Sequence, residues 1–222
     1  MPLSVVPPSS RHLPLATLLL ATASACQAGN LEVLVRDAQG APLADAVVSV
    51  EVNHAKTSAA PGTRADLGQK NRSFVPGVLV IQTGTAVHFP NFDTVRHHVY
   101  SFSAAKPFEI KLYSGTPAAP VVFDKPGTAV LGCNIHDRML GFVHVVSTPH
   151  FAKTNAAGVA SLNVPAGDHT LQVWHASLTD AQDPLRQALK VAPAGTTQVT
   201  VRLPDTSTSM PAGGVAGASA PR

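Results

Sequence analysis

The stretch VLVIQTGTAVHF, residues 78–89, decides the predicted fold. It contains two short apolar runs, Val78–Ile81 and Ala86–Phe89, separated by the turn Gln82-Thr83-Gly84. Short apolar runs bounded by turn residues are typical of β-strands. The same pattern recurs along most of the chain, and no stretch of helical length shows amphipathic spacing. The sequence therefore predicts an all-β protein.

Three series of strands are predicted around this stretch. The first has strands at Leu31–Arg36 and Ala46–Val52, and a polar, small-residue linker from Asn53 to Arg72 follows it. The middle series is dense enough for a compact Greek-key sandwich or barrel. Its strands are predicted at Val78–Ile81, Ala86–Phe89, His98–Phe102, Phe108–Tyr113, Val121–Phe123, Thr128–Leu131 and Phe142–Val146. The third series is predicted at Val159–Val164, Thr170–His175, Ala188–Val191 and Gln198–Leu203.

The first 28 residues have the pattern of a secretory signal. Arg11 and His12 precede a short apolar run, and small residues lead to an expected cleavage near Ala28. The run is too short to span a bilayer, so no transmembrane segment is expected in the mature chain. Lipidation at Cys26 is the alternative, because residues 23–26, ASAC, resemble a lipobox. Either processing would place the folded chain in the periplasm or outside the cell.

The composition narrows the range of partners. Charged residues make up 13% of the chain and the formal net charge is +3. The Lys and Arg residues are scattered and form no run, so nucleic acid is not an expected partner. Residues 205–222 are rich in Ser, Thr, Pro, Gly and Ala, which predicts a disordered tail.

Two segments that flank the middle series carry a joint resemblance. Residues 35–48 read VRDAQGAPLADAVV, and residues 154–158 and 164–171 read TNAAG and VPAGDHTL. Together they resemble a carboxypeptidase-regulatory-like, transthyretin-like β-sandwich. The resemblance implies one discontinuous sandwich made of residues 30–57 and 148–204, with the middle segment inserted in it or appended to it. Insertions are tolerated where the ends of a loop lie close together.

The residues that carry chemistry are concentrated in GCNIHDRM, residues 132–139. Cys133, His136 and Met139 have the spacing C-x-x-H-x-x-M, and the pair His97-His98 lies upstream. Without the signal, Cys133 is the single thiol of the mature chain, and an unpaired cysteine in an oxidising compartment needs a reason such as metal ligation. Two His, one Cys and a weakly bound Met are the ligand types of a blue-copper site.

Residues 70–147 resemble the cupredoxin family, of the plastocyanin and amicyanin type. The resemblance rests on FVP at 74–76, GTAVHFPN at 84–91, Asp93 with His97, and the Cys-x-x-His-x-x-Met loop. It implies one mononuclear type 1 copper bound by His97, Cys133 and His136, with Met139 axial. The whole chain is similar to bacterial proteins labelled methylamine-utilisation or plastocyanin-like.

The sequence departs from the family at three positions. His98 stands where the family usually has Asn, so His98 is an alternative to His97 as the first ligand. Gly132 stands where the family often has an aromatic residue, and Asn134 replaces the usual Ser or Thr. Asp93 itself is interpreted as a turn residue that helps to shape the loop before the first ligand.

The resemblance implies an exported electron carrier and not an enzyme. Its donor and acceptor would be redox proteins, such as a periplasmic dehydrogenase or a cytochrome. His136 would be the electron port, surrounded by Ile135, Leu140 and Phe142. Other hypotheses stay open: zinc in place of copper, with Asp137 nearby; Cys133 as a nucleophile; periplasmic copper delivery; and a non-redox β-sandwich binding or assembly module.

Overall fold

The computed structural model describes residues 28–117, 119–136, 138–178 and 184–204. These ranges contain seventeen strands and no helix, so the prediction of an all-β fold is confirmed. With no helix among them, the described residues also contain none long and apolar enough to cross a membrane. The expected signal segment with Cys26, the tail 205–222, and Asp137 lie outside the described residues.

The strands are numbered along the chain. The first nine are β1 Ala28–Arg36, β2 Val47–Val52, β3 Arg64–Asp66, β4 Gly68–Lys70, β5 Ser73–Val75, β6 Val78–Gln82, β7 Thr85–His88, β8 His97–Ser101 and β9 Phe108–Tyr113. The remaining eight are β10 Val121–Phe123, β11 Gly127–Gly132, β12 Leu140–Val146, β13 Phe151–Lys153, β14 Val159–Pro165, β15 Gly167–Trp174, β16 Leu185–Val191 and β17 Thr196–Arg202.

Strands from the two ends of the chain pair with each other. β1 lies between β14, which is antiparallel to it, and β17, which is parallel. β2 lies in a second sheet with the order β13-β2-β15-β16. Alternate residues of β1, namely Leu31, Val33 and Val35, are at most 1% exposed because successive side chains point to opposite faces of a strand. We call these two sheets and their shared core the outer sandwich; the boundaries 30–57 and 148–204 remain predictions.

The strands from β3 to β12 surround a second core. They form a five-stranded sheet of order β6-β12-β11-β8-β9, a three-stranded sheet of order β10-β7-β3, and the hairpin β4-β5. The buried side chains of this second core are Leu67, Phe74, Ile81, Val87, Phe89, Val99, Phe123, Ala129, Leu131, Cys133, Met139, Val143 and Val145. Cys133 and Met139 thus lie at the edge of a continuous apolar core.

The parallel pair β6 and β12 has one face toward each core. Val78 and Val146 belong to the outer sandwich's core, whereas Ile81 and Val143 belong to the second core. On β12, His144 stacks on Trp174 of β15, with ring centroids 4.6 Å apart and an interplanar angle of 14°. The middle strands are therefore packed against the outer sandwich through side chains on this ladder.

The predicted linker at residues 53–72 is wrong in its second half. β3 pairs in parallel with β7, and β4 pairs with β5, so this segment is part of the folded middle region. Leu67 and Gln69 are both completely buried. These strands are only three residues long and mostly polar, so they carry no apolar alternation by which a strand is recognised in sequence. β5 and β13 are also only three residues long, which is too short to show apolar alternation, and they were not among the predicted strands.

Candidate metal centre

Three of the four predicted ligands converge at one end of the second core. One ligand atom from each of His97, Cys133 and His136 lies within 4.8 Å of the other two. The Cys133 Sγ atom is 3.7 Å from Nδ1 of His97 and 3.6 Å from Nδ1 of His136. The two imidazole rings face each other with centroids 4.9 Å apart. Both rings therefore present the same kind of nitrogen to one sulfur.

These separations fit three donors around a single metal ion. A thiolate sulfur binds such an ion at about 2.3 Å and an imidazole nitrogen at about 2.0–2.1 Å. For angles between tetrahedral and trigonal, those bond lengths place sulfur and nitrogen about 3.6–3.8 Å apart. The observed 3.6 and 3.7 Å lie in this range. In the metal-free protein, each ring nitrogen is also within hydrogen-bonding distance of the sulfur.

Two loops at neighbouring strand ends position the three side chains. His97 is the first residue of β8, and Cys133 directly follows the last residue of β11. β8 and β11 are adjacent in the five-stranded sheet. The ligand loop after Cys133 is folded tightly: the N–H of His136 donates to the Cys133 carbonyl at 3.3 Å, and the N–H of Met139 donates to the His136 carbonyl at 2.9 Å. The backbone that carries Cys133, His136 and Met139 is therefore held by its own hydrogen bonds.

The structure distinguishes His97 from His98. His97 is completely buried, and its ring faces Cys133. His98 points to the other face of β8, where its Nε2 lies 3.0 Å from Oε1 of Glu109 without hydrogen-bond geometry. The ring of His98 also contacts the edge of Tyr100, at a centroid distance of 5.9 Å. The candidate cluster therefore contains His97, whereas His98 lies beside Glu109 on the opposite face.

Met139 completes the predicted set by position. It is 3% exposed and belongs to the same core cluster as Cys133. Its backbone N–H is hydrogen-bonded to the His136 carbonyl, so Met139 lies in the same tight loop as His136. The assignment of its thioether as an axial ligand remains a prediction.

Asp93 is the residue at this site that sequence reasoning underrated. Its Oδ2 atom accepts a hydrogen bond from Nε2 of His97 at 2.8 Å. The carboxylate also accepts from two backbone N–H groups, with Oδ1 2.7 Å from Asn71 N and Oδ2 2.9 Å from Arg72 N. The Arg72 N–H contributes most to holding the pKa of Asp93 below its usual value, and the contact with His97 adds to it. The i, i+4 spacing of Asp93 and His97 was the only sequence signal for this contact.

The loop that carries Asp93 is itself well anchored. Asn91 accepts the N–H of Asp93 at 2.9 Å, and its amide donates to the carbonyls of Val95 at 2.9 Å and Tyr113 at 3.3 Å. The hydroxyl of Tyr113 donates to the Phe89 carbonyl at 2.8 Å, and burial raises the pKa of this phenol to about 12. Asn91 therefore ties the loop before His97 to the neighbouring strand β9.

The structure explains why residue 132 is a glycine in this chain. A Cβ atom at this position would lie 2.7 Å from the Cζ and Oη atoms of Tyr100 on the adjacent strand. The Tyr100 ring thus occupies the space that a side chain before the cysteine would fill. Asn134, the other departure from the family pattern, is exposed.

The predicted surroundings of His136 are only partly as expected. His136 is half-buried, and Ile135 and Leu140 are 47% and 58% exposed. Phe142, by contrast, packs on Trp174 of the outer sandwich, with ring centroids 5.8 Å apart. Ile135 and Leu140 are therefore exposed apolar residues near His136 in the chain, whereas Phe142 contributes to the contact between the two cores.

No family profile and no curated protein matches this sequence. Among solved structures, a purple cupredoxin from Nitrosopumilus maritimus is 24% identical, and the match covers 37% of this chain and 98% of that one with a TM-score of 0.32. Amicyanin from Paracoccus versutus is 16% identical over 44% of this chain and 96% of its own, with a TM-score of 0.32. A copper-containing nitrite reductase from Thermus scotoductus is 23% identical over 51% of this chain and 28% of its own, with a TM-score of 0.37. Likenesses at this level do not establish a shared function.

Proposed function

We propose that this protein is an exported type 1 copper protein that carries single electrons between redox partners. The observation that carries the proposal is the convergence of Cys133 Sγ with Nδ1 of His97 and of His136. The site is built into the edge of a rigid β core, and the thiol has no disulfide partner among the described residues. One thiolate and two imidazoles from these positions form the equatorial donor set of a blue-copper site.

The donor set favours copper over zinc. A structural zinc site is closed by four ligands of the Cys, His or carboxylate type. Among the described residues, the cluster contains three such ligands and no carboxylate. Among the described residues, the Asp93 carboxylate is hydrogen-bonded to the far nitrogen of His97 and so is not directed at the shared site. The loop also offers the buried thioether of Met139, the donor type that completes a blue-copper site.

Each residue has a separate role in this proposal. Bound copper would supply a one-electron couple. Cys133 would bind it through a thiolate, and both histidines would donate Nδ1. Since β8, β11 and the hydrogen-bonded ligand loop hold these groups in place, the same donors serve both oxidation states with little rearrangement. The half-buried ring of His136, beside exposed Ile135 and Leu140, would be the point of electron entry and exit.

The proposed setting is the periplasm or the exterior of the cell. It is supported by the signal-like pattern of residues 1–28, with cleavage near Ala28 or lipidation at Cys26. The proposed partners are redox proteins, such as a periplasmic dehydrogenase or a cytochrome. In this proposal the chain acts as a carrier and not as an enzyme, because both imidazoles lie around the Cys133 sulfur at separations that fit ligands of one ion.

Metal analysis combined with redox titration tests the proposal. The purified mature protein should bind one copper per chain and show a reversible one-electron couple. Readily exchanged Cu(I) without a stable Cu(II) form would instead identify a copper-delivery protein. Failure to bind copper, with fold and stability unchanged, would leave a β-sandwich binding or assembly module as the better description.

A further inference from the structure

The contact between Asp93 and His97 determines which nitrogen of the ring carries hydrogen. An ionised carboxylate can only accept hydrogen bonds, so Nε2 of His97 must be the donor in the 2.8 Å contact. A neutral imidazole has one N–H and one bare nitrogen, and the bare nitrogen is then Nδ1. This is the atom that lies 3.7 Å from Cys133 Sγ. Asp93 thus leaves Nδ1 of His97 without hydrogen, so that its lone pair is on the side of the ring that faces Cys133.

The same carboxylate is fixed by a hairpin distant in sequence. β4 and β5 are joined by Asn71 and Arg72, whose φ angles are both 55°. Positive φ at both central residues is the geometry of a type I′ turn, and it is uncommon for a residue such as Arg. The two N–H groups of this turn point at Asp93, at 2.7 and 2.9 Å. The turn therefore orients the carboxylate, and the carboxylate in turn orients His97.

We propose that Asp93 is a positioning residue that links the β4-β5 hairpin to the metal centre and biases the bound metal toward its oxidised state. The bias follows from charge. A carboxylate hydrogen-bonded to the outer nitrogen of a ligand histidine makes that ligand a stronger donor. The negative charge of Asp93 near the site would also stabilise Cu(II) more than Cu(I), because the attraction grows with the charge of the ion. The redox part rests on the proposed copper function, whereas the orientation of His97 does not.

The neighbouring residue offers a matched control. His98 pairs with the carboxylate of Glu109 at 3.0 Å, on the opposite face of the same strand. Replacing Glu109 removes a carboxylate close to a histidine but breaks no hydrogen bond to that ring, and this histidine does not face Cys133. The variants Asp93→Asn and Glu109→Gln therefore remove equal charge at adjacent histidines. Asp93→Asn keeps the size of the side chain and one acceptor oxygen, but its NH2 group replaces an oxygen that accepts from an N–H, so the variant removes both the charge and part of the hydrogen bonding.

The first experiment measures the reduction potential of the copper-loaded protein and both variants. Loss of a carboxylate that is hydrogen-bonded to a ligand histidine changes metal affinity or activity by about tenfold to a hundredfold, and we expect the reduction equilibrium to change by a similar factor. We expect Asp93→Asn to increase the equilibrium constant for reduction by at least about tenfold, and Glu109→Gln to change it less than about twofold. Equal effects of the two substitutions, or no effect of Asp93→Asn, would overturn the proposed bias.

The second experiment needs no metal and separates this inference from the proposed function. Nitrogen NMR of the metal-free protein should show His97 with hydrogen on Nε2 and a bare Nδ1, and Asp93→Asn should weaken that preference. Hydrogen exchange at the amides of Asn71 and Arg72 should become faster in the same variant. Wild-type protein with hydrogen on Nδ1 of His97 would refute the positioning role even if copper binds. A wild-type protein without a redox couple but with hydrogen on Nε2 would refute the copper function and the redox bias while the positioning role stands.

Discussion

His144 should make the stability of this protein fall sharply in mild acid. The ring is 4% exposed, stacks on Trp174, and lies 2.9 Å from the Thr128 hydroxyl through Nδ1. Burial is the sole cause that lowers its pKa from 6.5 to about 4. The folded protein therefore keeps His144 neutral at a pH where the unfolded chain already binds a proton.

The sign and size of the effect follow from linkage. Stability is lost wherever the unfolded state binds more protons than the folded state as the pH falls. For His144 this range runs from its unfolded pKa of 6.5 down to its folded pKa of about 4. Each pKa unit corresponds to about 1.4 kcal/mol, so the total loss is about 3 kcal/mol, most of which falls between pH 7 and pH 4.5.

Urea denaturation of the metal-free protein, followed by fluorescence of its single tryptophan, measures this loss. The variant His144→Gln cannot titrate but keeps a polar group opposite Thr128. Its disadvantage relative to wild type at pH 7 should shrink by about 2 to 3 kcal/mol by pH 4.5. Phe142→Leu removes another ring contact with Trp174 and adds no titrating group. Its free energy of unfolding should therefore differ from that of the wild type by the same amount at both pH values. A constant difference for His144→Gln as well would refute the reasoning.

Three further outcomes are expected. His97→Gln should abolish tight copper binding, whereas His98→Gln should retain it, and metal analysis after dialysis checks this; equal losses would contradict the assignment of His97. Gly132→Ala should lower the free energy of unfolding by about 1 to 3 kcal/mol, because the new Cβ atom meets the Tyr100 ring. Urea denaturation should show that this loss largely vanishes when Tyr100 is also replaced by Ala. An undiminished loss in the double variant would exclude Tyr100 as its cause. Met139→Leu conserves volume, so its free energy of unfolding should change by less than about 1.5 kcal/mol while the reduction potential of the copper form rises; an unchanged potential would remove Met139 from the ligand set.

The apolar alternation of the sequence was sufficient for the all-β fold. Strands such as Val78–Ile81 and Thr128–Leu131 carry enough buried Val, Ile and Leu to be recognised. β3 and β4 carry no such pattern: RAD is stabilised by backbone pairing with β7, and GQK by pairing with the next strand, β5. Gln69 is the extreme case, a completely buried amide in a segment that resembles a linker.

The site was predictable in its ligand types but not in its supporting contacts. The spacing of Cys133, His136 and Met139 is local, so it can be read from the chain. The choice between His97 and His98 depends on the direction of each side chain, and the pairing of β8 with β9 is irregular between His97 and Val99. The contacts of Asp93 with Asn71 and Arg72 span more than twenty residues and join a side chain to backbone N–H groups, which have no sequence signature.

The visible absorption spectrum of the copper-loaded protein tests the central claim most directly. A thiolate bound to Cu(II) gives an intense charge-transfer band, so wild-type protein should be strongly coloured. Cys133→Ser should lose this band while remaining folded, because serine is close in size to the buried cysteine. A colourless Cu(II) form of the wild type, or an unchanged band in Cys133→Ser, would contradict a copper site built on Cys133.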